Sequence, residues 1–223
     1  MLVYHFINQE FGLDNLRHKR LKVATFNDLN DPFELLSGAS ANSEVRRAFR
    51  ETKDELSTTV GLLCFSRNWS NPVQWSHYAD KHRGMCLGFE IPDSNLVRVK
   101  YRRKRLKSDI NALGNNDAAA ETAMLDMLCT KYIHWQYERE KRVFVRLDER
   151  ERDTRGLYFL GFSKTLSLKE VIIGHNCAIK RDELDRALGT LATRVTVQRA
   201  RLSFLSFKVV KQLNEGLWKV PLK

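Results

Sequence analysis

A chain of 223 residues with 43% hydrophobic content, 4 prolines and 11 glycines has the length and composition of a folded protein that can bury a sizeable core. No apolar run approaches the ~18 residues of a membrane helix. The opening Met1-Leu-Val-Tyr-His5 lacks the marks of a signal peptide, so a cytoplasmic protein is expected. The 38 lysines and arginines against 27 acids leave a net charge of +11, which favours anionic partners such as nucleic acid or phosphorylated ligands.

Residues 2–7 are predicted as a short strand, and Phe11–Arg20 as a helix with Leu13 and Leu16 inward. Lys22–Thr25 reads as a second strand. In Asn27-Asp-Leu-Asn-Asp-Pro-Phe-Glu34, Asp31 is a cap residue and Pro32 suits the first helical position. Residues 43–57 are polar and helix-like, and Val60–Ser66 is a buried strand. Ser70-Asn71-Pro72 opens a helix that Gly84 closes, with Trp75, Tyr78, Ala79 and His82 on one face and His77 and Lys81 pointing elsewhere.

Met85–Ile91 is another apolar strand, with Val97–Arg102 as its expected partner. Residues 110–117 read as a loop and Ala118–Tyr132 as a helix rich in Ala, Leu and Met. Trp135-Gln-Tyr-Glu-Arg-Glu-Lys-Arg142 is read as a strand. Glu138, Glu140 and Arg142 then share one face, and Tyr137, Arg139 and Lys141 the other. A charged loop, Asp148–Arg155, precedes a strand at Leu168–Gly174, a helix at Arg181–Leu191, and closing strands at Arg194–Val197 and Leu202–Val210. Strands and helices mix without regular alternation and with no linker. The expected fold is α+β, a single domain over residues 1–223 with mixed, mostly antiparallel sheets and flanking helices.

Four cysteines, Cys64, Cys86, Cys129 and Cys177, form no C-x-x-C pair, so no metal is expected. Phosphate loops, dinucleotide fingerprints, zinc-protease helices and esterase elbows are all missing from the sequence. The densest charge lies at Lys100, Tyr101, Arg102, Arg103, Lys104 and Arg105, where a ring among cations suits a phosphate track with a stacking base. A charged edge strand that resists aggregation fits the same run.

Four blocks remain as candidates for chemistry: Tyr4-His5; Asn30-Asp31-Pro32-Phe33-Glu34; Ser66-Arg67 with the Trp75, Tyr78 and His82 face; and Glu138, Glu140 and Arg142. Together with Cys64-Phe-Ser66, Trp75-Ser-His-Tyr-Ala79, His82-Arg-Gly84 and Gly88-Phe89, they resemble a bacterial family known only as domain of unknown function 2971. That resemblance runs over roughly residues 3 to 175 and implies no activity.

A looser likeness is one of block order. ADP-ribosyltransferases place a His or Arg on an early strand, a Ser or aromatic mid-chain, and a Glu, often in an E-x-E pair, on a late strand. His5, Ser66 with Tyr78, and Glu138-x-Glu140 follow that order. The resemblance implies an ADP-ribosyltransferase-like fold and NAD as substrate. Glu140 would be the catalytic acid with Glu138 its partner. Tyr78 or Trp75 would stack nicotinamide, His5 would hydrogen-bond the adenosine ribose, and Arg142 or Arg67 would meet the pyrophosphate. Tyr4, Asn30, Asp31, Phe33, Ser66 and His82 complete the expected NAD-binding set. A toxin or antiphage effector acting on nucleic acid or protein is one such enzyme. Two other readings stay open: a metal-independent nuclease using His5, His82 and a carboxylate, and a non-catalytic nucleic-acid-binding module.

Overall fold

In a computed structural model, residues 1–33, 38–39, 42–107, 117–147, 152–214 and 216 are described. In chain order the first half gives β1 (Leu2–Ile7), α1 (Gln9–His18), β2 (Arg20–Val23), β3 (Gly38–Ala39), α2 (Ser43–Thr59), β4 (Val60–Ser66), α3 (Pro72–Tyr78) and β5 (Met85–Glu90). The second half gives β6 (Val97–Arg98), β7 (Lys100–Arg102), β8 (Leu106–Lys107), α4 (Asp117–Leu128), β9 (Thr130–Tyr132), β10 (Glu140–Arg146), β11 (Tyr158–Gly161), β12 (Ser167–Ile173), α5 (Arg181–Leu188), β13 (Thr196–Leu202) and β14 (Val209–Lys211).

The fold is α+β. Its main sheet runs β14-β13-β12-β5-β1-β4-β10-β6 and is antiparallel throughout, apart from the parallel β12–β13 pair that α5 connects. β1 is zipped to β5 along its whole length, from Leu2 opposite Glu90 to Ile7 opposite Met85. β4 is zipped equally to β10, from Ser66 opposite Glu140 to Val60 opposite Arg146. Between these two halves only one residue pair is in register, Tyr4 with Ser66. The sheet is therefore split along its middle.

Alternation along the strands explains the packing. Val3, Leu63, Phe65, Leu87, Phe89, Val171 and Ile173 face one large core with Leu13 and Leu16 of α1 and Leu184 and Leu188 of α5. The opposite face carries two smaller clusters. One joins Trp75, Cys86, Ile172 and Ala200, and the other joins Phe26, Leu62, Leu128 and Cys129. The split lies between them.

Local signals account for the helix starts. The Asn8 side chain accepts the Phe11 amide at 2.8 Å, and Asn71 accepts that of Val73 at 2.9 Å with Pro72 following. The helix after Pro72 does not run to Gly84. It stops at Tyr78, and Asp80, Lys81 and His82 are all left-handed, with φ of 45°, 54° and 68°. Gly84 then passes so close to β1 that an added Cβ would lie 2.1 Å from the Ile7 carbonyl oxygen.

Other expectations shift. The helix predicted to Tyr132 ends at Leu128, and Thr130–Tyr132 is instead a strand. Val97–Arg102 does not pair with β5: β6 pairs with β10, and β7 pairs in parallel with β9. The Trp135 segment is not one strand. Ile133–Glu138 is a 3-10 turn, Arg139 is left-handed at φ 47°, and the strand begins at Glu140. β11 was not foreseen. The residues after Phe33 that would continue the predicted helix, residues 110–116 of the next predicted loop and residues 148–151 of the charged loop lie outside the described residues. Among the described residues no helix is long and apolar enough to cross a membrane.

Candidate active site

The split opens a cavity of about 420 Å³. β1 contributes Tyr4, His5 and Phe6; β4 contributes Cys64, Phe65 and Ser66. Gln74, His77 and Tyr78 enter from α3, and Asp28, Leu29 and Asn30 from the loop after β2. Lys131, Glu138 and Glu140 close the far wall. His5, Ser66, Tyr78, Glu138 and Glu140, far apart in sequence, thus line one space.

The carboxylates sit in a buried charge network. Lys131 Nζ lies 2.9 Å from Glu138 Oε2 and 2.8 Å from Glu140 Oε2, with all three side chains at most 6% exposed. Arg142, wholly buried, donates through Nε to Glu140 Oε1 at 2.8 Å and through Nη2 to Oε2 at 3.3 Å. Its Nη1 donates to the Leu128 carbonyl. Tyr101 Oη accepts the Glu140 amide at 2.8 Å. The Glu138 carbonyl is held by Ser66 Oγ at 2.7 Å and Gln74 Nε2 at 3.0 Å, which explains how a residue outside the strand is fixed beside it.

These surroundings separate the two acids. Burial would raise Glu140, but Arg142 and Lys131 overcome it and hold the carboxyl down at about 2, so it is an anion at any working pH. Burial raises Glu138 above its ordinary value. Lys131 opposes that rise, the Glu140 charge adds to it, and the hydrogen bond from Tyr78 Oη favours the ionised form. One acid is a fixed charge and the other a group that can exchange a proton. Tyr78 Oη also accepts from Asn30 Nδ2 at 2.6 Å, and burial, then Glu138, push its own pKa up.

His5 donates Nδ1–H to the Cys64 carbonyl at 3.0 Å, and burial lowers its pKa. A neutral ring with Nδ1 as donor leaves Nε2 as an acceptor. Burial, and then the Glu170 charge, raise Tyr4 to about 12. Cys64 is kept protonated, first by burial and then by Glu140.

Several expected residues stand elsewhere. Arg142 lies beneath Glu140 with its guanidinium spent on Glu140 and Leu128, so it does not meet a ligand's pyrophosphate. Arg67 is exposed and outside the lining. Trp75 is wholly buried and gives its indole N–H to the Trp69 carbonyl, so it is core and not a nicotinamide wall. Because the helix ends early, His82 stacks on Trp75 at 6.1 Å and misses the cavity, and the nuclease arrangement of His5 with His82 is not assembled. Asp31 is buried beside the cavity, with Oδ1 accepting the Phe33 amide. Phe33 is half exposed under Arg105. Tyr101 is turned inward to Glu140 instead of standing among the cations, and Lys100 is tied to Asp126 at 2.6 Å.

Lys131, Gln74, His77 and Cys64 also line the cavity, although none of them stands among the expected site residues. Lys131 was hidden by an overlong helix. His77, which lines the cavity and hydrogen-bonds Tyr137 Oη at 2.8 Å, was assigned to the wrong face.

Residues 74–143 match the model of a protein family of unknown function, DUF2971. No curated protein and no solved structure matches the chain. The matched stretch begins at Gln74 and ends one residue past Arg142, so the DUF2971 segment carries the Gln74–Tyr78 wall, Lys131 and both carboxylates.

Tyr78→Phe tests the proton-exchanging role of Glu138. Losing the Tyr78 hydroxyl removes a bond that favours ionised Glu138, so its pKa rises further. Whatever reaction needs the carboxylate should lose its acid limb at a higher pH than the parent, measured as the pH–rate profile. An unmoved limb would remove Glu138 as the titrating group.

Proposed function

We propose that this cavity cleaves the nicotinamide–ribose bond of NAD and passes ADP-ribose to an acceptor. One observation carries the reading. His5, Ser66, Tyr78 and the Glu138–Glu140 pair, from four separate parts of the chain, line one cavity whose two carboxyls have opposite proton affinities.

In the reaction the C1′–N bond breaks, its electron pair leaves with nicotinamide as a neutral molecule, and the ribosyl carbon becomes oxocarbenium-like. Glu140, permanently ionised, stabilises that charge. The acceptor's oxygen or nitrogen then attacks C1′, and its proton passes to Glu138, whose raised pKa suits a general base. Tyr78 offers an aromatic wall for the nicotinamide ring. His5 Nε2 accepts from a ribose hydroxyl. Among the described residues the lining contains no arginine, and this reading therefore seats the nicotinamide riboside half of NAD here. NAD is an intracellular metabolite, so this reading keeps the activity in the cytoplasm. Uncontrolled consumption of NAD, or modification of nucleic acid or protein, would make the protein a toxin or antiphage effector.

The test is incubation of the folded protein with NAD carrying label in both the nicotinamide and adenine halves. Free nicotinamide is expected, with adenine label on an added nucleic acid or protein when transfer occurs. Absence of both products from folded protein would sink the proposal.

A further inference from the structure

A second pocket, of about 330 Å³, lies behind the carboxylate wall and has no part in the chemistry above. The partition is the two-stranded ribbon of β7 and β9, paired as Lys100 with Thr130, Tyr101 with Lys131 and Arg102 with Tyr132. Successive side chains on a strand point to opposite faces. One face of the ribbon carries Tyr101 and Lys131 into the Glu138–Glu140 network. The other presents Thr130, Arg102 and Tyr132 to the second pocket.

That pocket is also lined by Arg103, Lys104 and Arg105 on the turn after β7. With Arg102 they make four exposed cations in succession, and none is ion-paired to a described residue. Two exposed rings flank them. Phe33 is 49% exposed with the Arg105 guanidinium 5.0 Å over its face, and Tyr132 is 45% exposed. An independent feature also points to a ligand. Thr130 lines this pocket and is 4% exposed, and its hydroxyl is buried with no hydrogen-bond partner among the described residues. A buried hydroxyl without a partner is costly unless something supplies one.

We infer that this pocket binds a nucleotide unit, its phosphate on the Arg102–Arg105 turn and the Thr130 hydroxyl, and its base on Phe33 or Tyr132. Cations alone would take any polyanion, whereas cations interleaved with exposed rings suit phosphates joined to flat bases. Four successive cations exceed what one diphosphate needs, so the expected source is a single-stranded nucleic acid. The same chemistry is present in the ADP half of a dinucleotide. The inference needs no NAD cleavage in the first cavity.

The experiment is fluorescence anisotropy of the full chain with a labelled single-stranded 12-mer, as DNA and as RNA, over a range of salt. Tight binding that weakens steeply with salt is expected. Arg103→Glu with Arg105→Glu should weaken it by more than tenfold and flatten the salt slope. Phe33→Ala, a change at a half-exposed side chain, should weaken it by roughly tenfold through lost stacking. An excess of ADP that leaves the strand bound identifies a strand site. ADP that displaces the strand in the parent, and itself binds less well to the Phe33→Ala protein, identifies the dinucleotide as the source of the same unit. Binding that survives both sets of changes overturns the inference, as does a polyglutamate peptide that binds as tightly as the oligonucleotide. Nicotinamide release measured on the same variants separates this result from the fate of the NAD proposal.

Discussion

Replacing Arg142 by methionine should destabilise the fold by about 3–5 kcal/mol, because it strips the cation from a buried ion pair and leaves the partner behind. Arg142 has no exposed surface, and its guanidinium joins Glu140 to the Leu128 carbonyl. In the variant Glu140 keeps only Lys131, which it already shares with Glu138. The effect should depend on pH with a definite sign. Glu140 is held at about 2, below its unfolded value of about 4.3. Its ion pairing therefore stabilises the protein fully above the unfolded value, and that contribution is lost as pH falls towards 2. The gap between parent and variant, read from urea midpoints, should be widest near neutrality and narrow in acid. Adding Glu140→Gln to Arg142→Met should recover part of the loss, since Lys131 and Glu138 then remain as a balanced pair. A single-variant cost under about 1 kcal/mol would mean that the network behaves as a solvated surface ladder.

Glu140→Gln should reduce nicotinamide release by roughly 10²–10³-fold, the scale seen when one preorganised electrostatic group is removed from a transition state. Glu138→Gln should leave much of the release intact while lowering transfer to the acceptor by roughly 10²–10⁴-fold, because only the second step needs the base. The Glu140 variant also unbalances Arg142 and Lys131, so activity alone would confuse chemistry with folding. The Glu140→Gln, Arg142→Met double variant resolves this. Release still absent from a protein with parental circular dichroism and a cooperative urea transition is a chemical loss. Release at the parental rate from folded Glu140→Gln protein would rule out the charge-stabilising role.

Much of this arrangement was readable from residues. Asn71-Pro72 announced α3, and the apolar run Val60–Ser66 announced β4 to the residue, because capping and burial are local effects. His5, Ser66, Tyr78 and Glu140, which the sequence singles out by residue type, line one cavity. What escaped was set by tertiary contact. Arg139 in a left-handed conformation breaks the Trp135 segment at a point no propensity marks, so Glu138 reaches the site from a turn pinned by Ser66 and Gln74. The helix ending at Leu128 frees Lys131 to become the bridge between both acids, a role that only the β7 pairing makes possible.

The split between β1 and β4 gives the sheet, in effect, two further edges in its interior, one on each strand. A sheet edge presents main-chain donors and acceptors that no neighbouring strand has claimed. Here the Cys64 carbonyl is taken by the His5 ring, a side chain standing in for a strand. The floor of the cavity is thereby built partly of polypeptide backbone. Hydrogen bonds that a ligand makes to such a floor depend on the path of the chain and not on the identity of its residues, so that part of recognition would tolerate substitutions that alter every side chain around it.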